Sequence, residues 1–320
     1  MSTVVIDLRS NPTPDPESPD DAGAPSLDRE LLDAALEGRF QVVREIGRGA
    51  TGVVYLARDL ALHRMVAIKA LRWECLSDEE ERDRFRREAR TTGQLSHPNI
   101  VALHTFAETA DAMYMVLGWV DGGSLADRLR REPRLPVAEA LPIILGVASA
   151  LAHAHGEGLV HRDLKPENVL IDRRSGRALL ADFGVATQPM RDMGMNGRRR
   201  SFGTPHFMSP EQAAGETEVD ARSDIFSLGV LAYTMLSGRR PFDAPTAEAL
   251  AAQQVSAEHP PLREVAPHVP TAVAAAVERC MEKEPAARWR KVEELTAALE
   301  SAPADGVGAR LLALIPGRRR

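Results

Sequence analysis

The sequence predicts an α+β fold, a strand-rich segment followed by a helical one, and two observations carry that expectation. Between residues 40 and 117, short runs of β-branched and aromatic residues are separated by turn formers, as in antiparallel strands. After Asp121-Gly122-Gly123 the spacing becomes helical and stays so to residue 301.

In chain order, residues 1–25 come first. They contain Asn11-Pro12-Thr13-Pro14-Asp15-Pro16-Glu17-Ser18-Pro19 and few apolar side chains, so a disordered arm is expected. Leu31, Leu32 and Leu36 suit a short helical turn leading into Phe40. Phe40-Gln41-Val42-Val43 and Gly52-Val53-Val54-Tyr55-Leu56-Ala57 read as strands on either side of a glycine-rich turn, and Met65 to Leu71 as a third. Ser77-x-x-Glu80 has the form of a capping box opening a long charged helix. On that helix Phe85, Ala89 and Thr92 recur at core-facing spacing, and Glu88 alone of its glutamates falls on the same face; Glu79, Glu80 and Glu81 read as solvated charges. His97-Pro98-Asn99 ends it, and strands follow over 101–106 and 113–117. Helices are expected over 125–131, 137–155, 224–236, 246–254, 271–282 and 292–301.

Composition narrows the function classes. A chain of 320 residues can bury a sizeable core in one large or two smaller domains. A net charge of −6 argues against a dedicated nucleic-acid binder. Cys75 and Cys280 are too few for a disulfide framework or a zinc site and read as buried, reduced thiols. The N-terminus lacks the pattern of a secretory leader, and no transmembrane segment is expected, because no apolar run approaches the roughly 20 residues that span a bilayer; a cytoplasmic location is the expectation. Leu311 to Ile315 precede Arg318-Arg319-Arg320, and residues 300–320 read as a short tail.

Four motifs carry chemistry. Gly47-Arg48-Gly49-Ala50-Thr51-Gly52 can bring backbone close to phosphate oxygens, and a strand rather than a helix follows it. Val66-Ala67-Ile68-Lys69 supplies one ammonium, which needs a carboxylate such as Glu88 to hold it. His161-Arg162-Asp163-Leu164-Lys165-Pro166-Glu167-Asn168 supplies a carboxylate able to take a hydroxyl proton, a cation for a migrating phosphoryl group, and an amide oxygen. Asp182-Phe183-Gly184 adds a second acid; with Asn168 it offers the hard oxygen ligands that suit Mg²⁺. Lysine is rare here, and two of the four, Lys69 and Lys165, stand in these motifs while Lys283 and Lys291 do not. A compact ammonium is not interchangeable with a guanidinium at a tight phosphate contact.

The order and spacing of these motifs over about 40–299 resemble the eukaryotic-like serine/threonine protein kinases of bacteria. The resemblance implies a bilobal kinase fold, with a β-rich lobe over 40–117, a hinge over 118–121 and a helical lobe over 122–299. It implies ATP with Mg²⁺, or Mn²⁺, and protein substrates carrying Ser or Thr hydroxyls. Asp163, Lys165, Lys69 and Glu88 take the catalytic places, and Asn168 and Asp182 the metal. ATP falls to Ile46, the six residues of the glycine turn, Val54, Ala67, Lys69 and Leu170, with main-chain groups of Gly118 and Val120 at the adenine. Gly118 departs from the more usual glutamate at a contact made by backbone. Supporting roles fall to His161, Arg162, Glu211 paired with Arg288, Asp224 and Gly229.

Regulation by the same analogy places Arg162 against a phosphate on the segment between Asp182 and Glu211. The candidate carriers are Ser201, Thr204 and Thr187; Ser201 directly follows Arg198-Arg199-Arg200. Autophosphorylation would involve a transient homodimer. His153 and His155 read as ordinary helix residues, since no Cys or carboxylate set accompanies them.

Overall fold

Side-chain alternation along two strands organises the first half of this computed structural model, which describes residues 5–6, 27–36, 38–49, 51–183, 206–217 and 219–302. In β3 (Gly52–Asp59) and β4 (Arg64–Leu71), Val53, Tyr55, Ala57, Val66, Ile68 and Ala70 face one side of the sheet. Val54, Leu56 and Ala67 face the other. The period of two therefore sends Lys69, between Ile68 and Ala70, to the same side as Val54 and Ala67. The sheet is antiparallel in the order β1-β2-β3-β4-β6-β5, with β1 at Val5–Ile6, β2 at Phe40–Arg48, β5 at Leu103–Glu108 and β6 at Met113–Gly118.

Helix α1 (Leu27–Leu36) covers the first face. Leu32 and Leu36 are buried there with Val42, Tyr55 and Val116, and Arg29 donates to the Val42 carbonyl at 3.1 Å. The expected helical turn is thus a ten-residue helix that completes the core of the lobe, upstream of the boundary drawn at residue 40. Val5–Ile6, inside the stretch expected to be disordered, pair with Gly47 and Arg48 as an edge strand.

On the other face lies α2 (Glu79–Gln94). Phe85, Ala89 and Thr92 are buried as the helical period requires. Two expectations are corrected. The N-cap is Asp78, whose side chain accepts from the Glu80 and Glu81 amides, one residue after the serine of the expected box. An anionic cap serves at least as well as serine at the positive end of a helix. Glu81 is buried rather than solvated, because Arg84 reaches its carboxylate at 2.9 Å and compensates it.

The helical lobe contains α3 (Leu125–Arg131), α4 (Val137–Gly156), α5 (Pro210–Ala213), α6 (Ala221–Ser237), α7 (Ala247–Ser256), α8 (Leu262–Val265), α9 (Thr271–Cys280) and α10 (Val292–Ser301). A two-stranded ribbon, β7 (Val169–Ile171) with β8 (Ala178–Leu180), lies under the cleft. Helix α4 packs against α6, α10 and β8 at the centre of one apolar core. By length and composition alone its 20 residues, with an 18-residue window of mean hydropathy 1.7, are enough to cross a bilayer, an exception to the expectation that no run came near. In this structure Ile143, Ile144, Val147 and Leu151 are instead buried within the lobe. Helix α6 crosses α9 at Gly229, where a Cβ would stand 2.5 Å from that of Cys280. Cys280 is buried as expected, whereas Cys75 is only half-buried.

Candidate active site

Lys69 projects from β4 into the cleft between the lobes. Its Nζ lies 2.5 Å from Glu88 Oε1 on α2 and 3.1 Å from Asp182 Oδ1 beyond β8. Burial works against the ammonium, but Asp182 and Glu88 outweigh it and hold the Lys69 pKa above its ordinary value. Burial resists ionisation of Asp182 as well, yet Lys69 keeps that carboxyl below the ordinary range. Glu88 goes the other way: burial raises it, and its share of Lys69 does not compensate. One cation thus serves two acids, one from each lobe.

The loop that follows α4 carries the second group. Lys165 Nζ lies 2.9 and 2.7 Å from the two Asp163 carboxylate oxygens. Asn168 donates to the Asp163 carbonyl at 2.8 Å and to its carboxylate at 3.2 Å. The carboxylate is therefore oriented by two donors. Asp163 itself stays half-buried beside the cleft.

Two nodes hold this loop in shape. Asp224, fully buried at the start of α6, accepts the amides of His161 and Arg162 at 2.8 Å each, and His155 Nε2 lies 2.8 Å from it. Sequence reasoning assigned His155 no role; only the fold brings α4 beside α6. His161 Nδ1 accepts the Asp163 amide at 3.3 Å, which leaves Nε2–H to donate to the Ala181 carbonyl at 3.1 Å. One imidazole so links the loop of Asp163 to that of Asp182, and its ring meets Phe183 edge-on. Arg162 and Asp182 both have positive φ, at 63° and 53°, a conformation non-glycine residues adopt at a cost of order 1–3 kcal/mol. The hydrogen bonds at Asp224 and Lys69 hold that strain at the two motifs. Further out, Arg288 forms a bidentate pair with Glu211, both contacts at 2.8 Å, and is fully buried.

An open, largely apolar cleft lies between the lobes. Ile46, Val54 and Ala67 form its roof, Leu170 its floor, and Gly118 and Val120 its back. Val101, Leu117, Trp119, Glu167 and Ala181 also line it and were missed. Two of these neighbour assigned residues in sequence, Trp119 between Gly118 and Val120, and Ala181 before Asp182; Val101 arrives only through tertiary packing. Gly47, Arg48, Gly49, Thr51 and Gly52 form the β2–β3 turn, closed by Gly49 N–H to the Gly52 carbonyl at 2.8 Å, and the Arg48 side chain turns to Glu45. Ala50 lies outside the described residues, as do Thr187, Ser201 and Thr204. Near the hinge, Gly122 is required: a Cβ there would fall 2.0 Å from the Ile171 carbonyl oxygen.

The two lobes place a lysine–glutamate pair above, a carboxylate–lysine–amide cluster below and an apolar slot between them. The family model for the protein kinase domain matches residues 40–299. The chain belongs to the protein kinase family. The serine/threonine-protein kinase PrkC of Bacillus subtilis is 38% identical to it over 272 residues, 85% of this chain and 42% of that protein. The serine/threonine-protein kinase pkn2 of Myxococcus xanthus is 41% identical over 273 residues, 83% of this chain and 33% of that one. The chain thus spans well under half the length of either curated relative. Among solved structures, the kinase domain of Mycobacterium tuberculosis PknI aligns with a TM-score of 0.64 at 30% identity, covering 83% of this chain and 97% of that one.

Membership of the kinase family implies ATP and a divalent metal, and the donors fit that demand. Asp182 has a depressed pKa, and Asn168 spends its amide N–H groups on Asp163, which leaves its amide oxygen as an acceptor. Both are hard oxygen ligands, suited to such an ion.

Proposed function

We propose that this kinase domain transfers the γ-phosphoryl group of ATP to serine or threonine hydroxyls of proteins, in bacterial signalling. The observation that carries the reading is the convergence on the cleft of Lys69 and Glu88 from the strand-rich lobe with Asp163, Lys165, Asn168 and Asp182 from the helical one. Lys69, held by Glu88, meets the α- and β-phosphates. Asn168 and Asp182 hold Mg²⁺, which when bound neutralises charge on the phosphates; Mn²⁺ suits the same donors. Asp163 orients the acceptor hydroxyl and takes its proton as oxygen bonds to the γ-phosphorus and the bond to the β–γ bridging oxygen breaks. Lys165, already at Asp163, neutralises charge on the moving group.

Support for a serine/threonine rather than tyrosine acceptor comes from Lys165 two residues after Asp163 and from Gly203-Thr204-Pro205. Both relatives described above bear serine/threonine names. Autophosphorylation at Ser201, Thr204 or Thr187, in a transient homodimer and with Arg162 receiving the phosphate, extends the same reading. The chain would act in the cytoplasm.

The test is incorporation of label from γ-labelled ATP into a generic protein acceptor, with Mg²⁺ or Mn²⁺, beside Asp163→Asn. Wild type should transfer label, and the variant should be at least about a hundredfold slower, given what general-base catalysis contributes. Equal labelling by both would overturn the assignment. Peptide mapping of the labelled enzyme reads out the three hydroxyls in the same experiment.

A further inference from the structure

We propose that Glu108 is a positioning residue for phosphoryl transfer: by clamping Arg82 and Arg86 it fixes the rotation of α2 and so keeps Glu88 at Lys69. The proposal rests on the kinase reading above and adds to it a residue outside the sequence motifs.

The clamp is dense. Glu108, the last residue of β5, receives Arg82 Nη2 at 2.5 Å, Arg86 Nε at 2.9 Å and Arg86 Nη2 at 2.6 Å. Arg86 is oriented beforehand by its own helix, through Asp83 at 2.6 Å and Glu79 at 2.7 Å. The clamp lies at the surface, Glu108 being an exposed residue, but the contacts cover much of the three side chains, which keep exposures of 28%, 21% and 27% for Arg82, Arg86 and Glu108. Hydrogen bonds from Arg86 first and Arg82 second hold the Glu108 carboxyl down to about 2.

Its placement explains its use. Phe106 and Glu108 are two residues apart on β5 and so share a face. The ring of Phe106 lies 6.2 Å from that of Phe85 on α2. At 3.6 residues per turn, Arg82 and Arg86 sit roughly 60–100° to one side of Phe85, and Glu88 roughly 60° to the other. An apolar strip of Phe85, Ala89 and Thr92 therefore runs between two ionic ties, one to β5 and one to β4. Apolar packing alone is non-directional and would let the helix roll. Lys69 alone is a poor anchor for Glu88, because Asp182 competes for it. A tie on the opposite flank resists the roll that would draw Glu88 away.

Glu108→Gln keeps the shape of the side chain and removes its charge. Three results are expected. Amide exchange within α2 should quicken about tenfold while the α4 and α6 amides keep their protection. The kcat/KM for ATP should fall about tenfold. In a Glu88→Gln background the same substitution should cost almost nothing further, because the residue it acts through is already gone. Unchanged exchange in α2 overturns the proposal. So does an equal loss of kcat/KM in both backgrounds, the result for a residue that only stabilises the lobe. Exchange is read without turnover, so an inactive wild type would defeat the kinase reading and still leave the clamp decided.

Discussion

The two lobes hold their functional groups by different means. In the helical lobe the polar ties are sealed: Asp224 and Arg288 are wholly buried, and Glu211 nearly so. In the strand-rich lobe α2 has one tie of each kind: Glu88 to Lys69 is largely buried, and Glu108 to its arginines is partly open to water. A buried charge without its partner is costly, so the sealed ties persist as long as the lobe is folded. A partly solvated tie holds less firmly than a sealed one. The comparison assigns rigidity to the loop that carries Asp163 and more adjustability to α2, whose Glu108 flank is the less sealed.

The sharpest way to break it is at Arg288. Arg288→Ala leaves the Glu211 carboxylate buried without its bidentate partner, although Ser223 still donates to it. The expected loss is about 3–5 kcal/mol of folding stability, read by denaturant unfolding. The pH dependence follows from the same pair. Burial acts to raise the Glu211 pKa, but Arg288 and Ser223 bring it below the ordinary 4.5. A depressed carboxyl contributes stability that is fully present above its unfolded value and lost as pH falls through its folded one. Wild type should therefore lose stability progressively below about pH 4.5, and the Arg288→Ala variant should lose less of it over that interval. A variant that unfolds like wild type would show the pair to be no anchor.

A smaller effect is expected where the open lobe has a sealed part of its own. Leu36, the last residue of α1, is fully buried against the sheet face of Tyr55 and Val116. Leu36→Ala should cost about 2–4 kcal/mol, and a chain begun at residue 40 should expose that whole face and associate or precipitate. If the shortened chain is monomeric and as stable as the full one, α1 is an ornament rather than a layer of the lobe.

Much of this was readable in the amino-acid order because the chemistry is local there. Asp163, Lys165 and Asn168 come within one short loop, and Glu88 lies on the helical face of Phe85; Glu81, four residues before Phe85, shares that face, and its burial was open to the same reading. What could not be read depends on partners distant in the chain. His155 looked idle until α6 was placed beside α4. Val101 reaches the cleft only by packing. Glu108 ends an ordinary strand, and its partners lie 22 and 26 residues earlier. The helix over Val137–Gly156 was underrated for a local reason: Glu139, His153 and His155 interrupt an otherwise apolar run near both ends.

The mildest prediction concerns where α2 begins. Asp78 accepts from two amides that would otherwise lack partners, and its charge meets the positive end of the helix. Asp78→Ala should cost about 1 kcal/mol of stability, while Ser77→Ala should cost almost nothing, since the cap lies one residue further on. The comparison between lobes makes the result more than a matter of capping. If α2 is adjustable as a whole, fraying its first turn should loosen the turn that presents Arg82 and with it the Glu108 clamp, so α2 amide exchange should rise in Asp78→Ala but not in Ser77→Ala. If exchange rises only within the first turn and stops before Arg82, the helix responds piecewise, and adjustability belongs to its ends rather than to the element that holds Glu88.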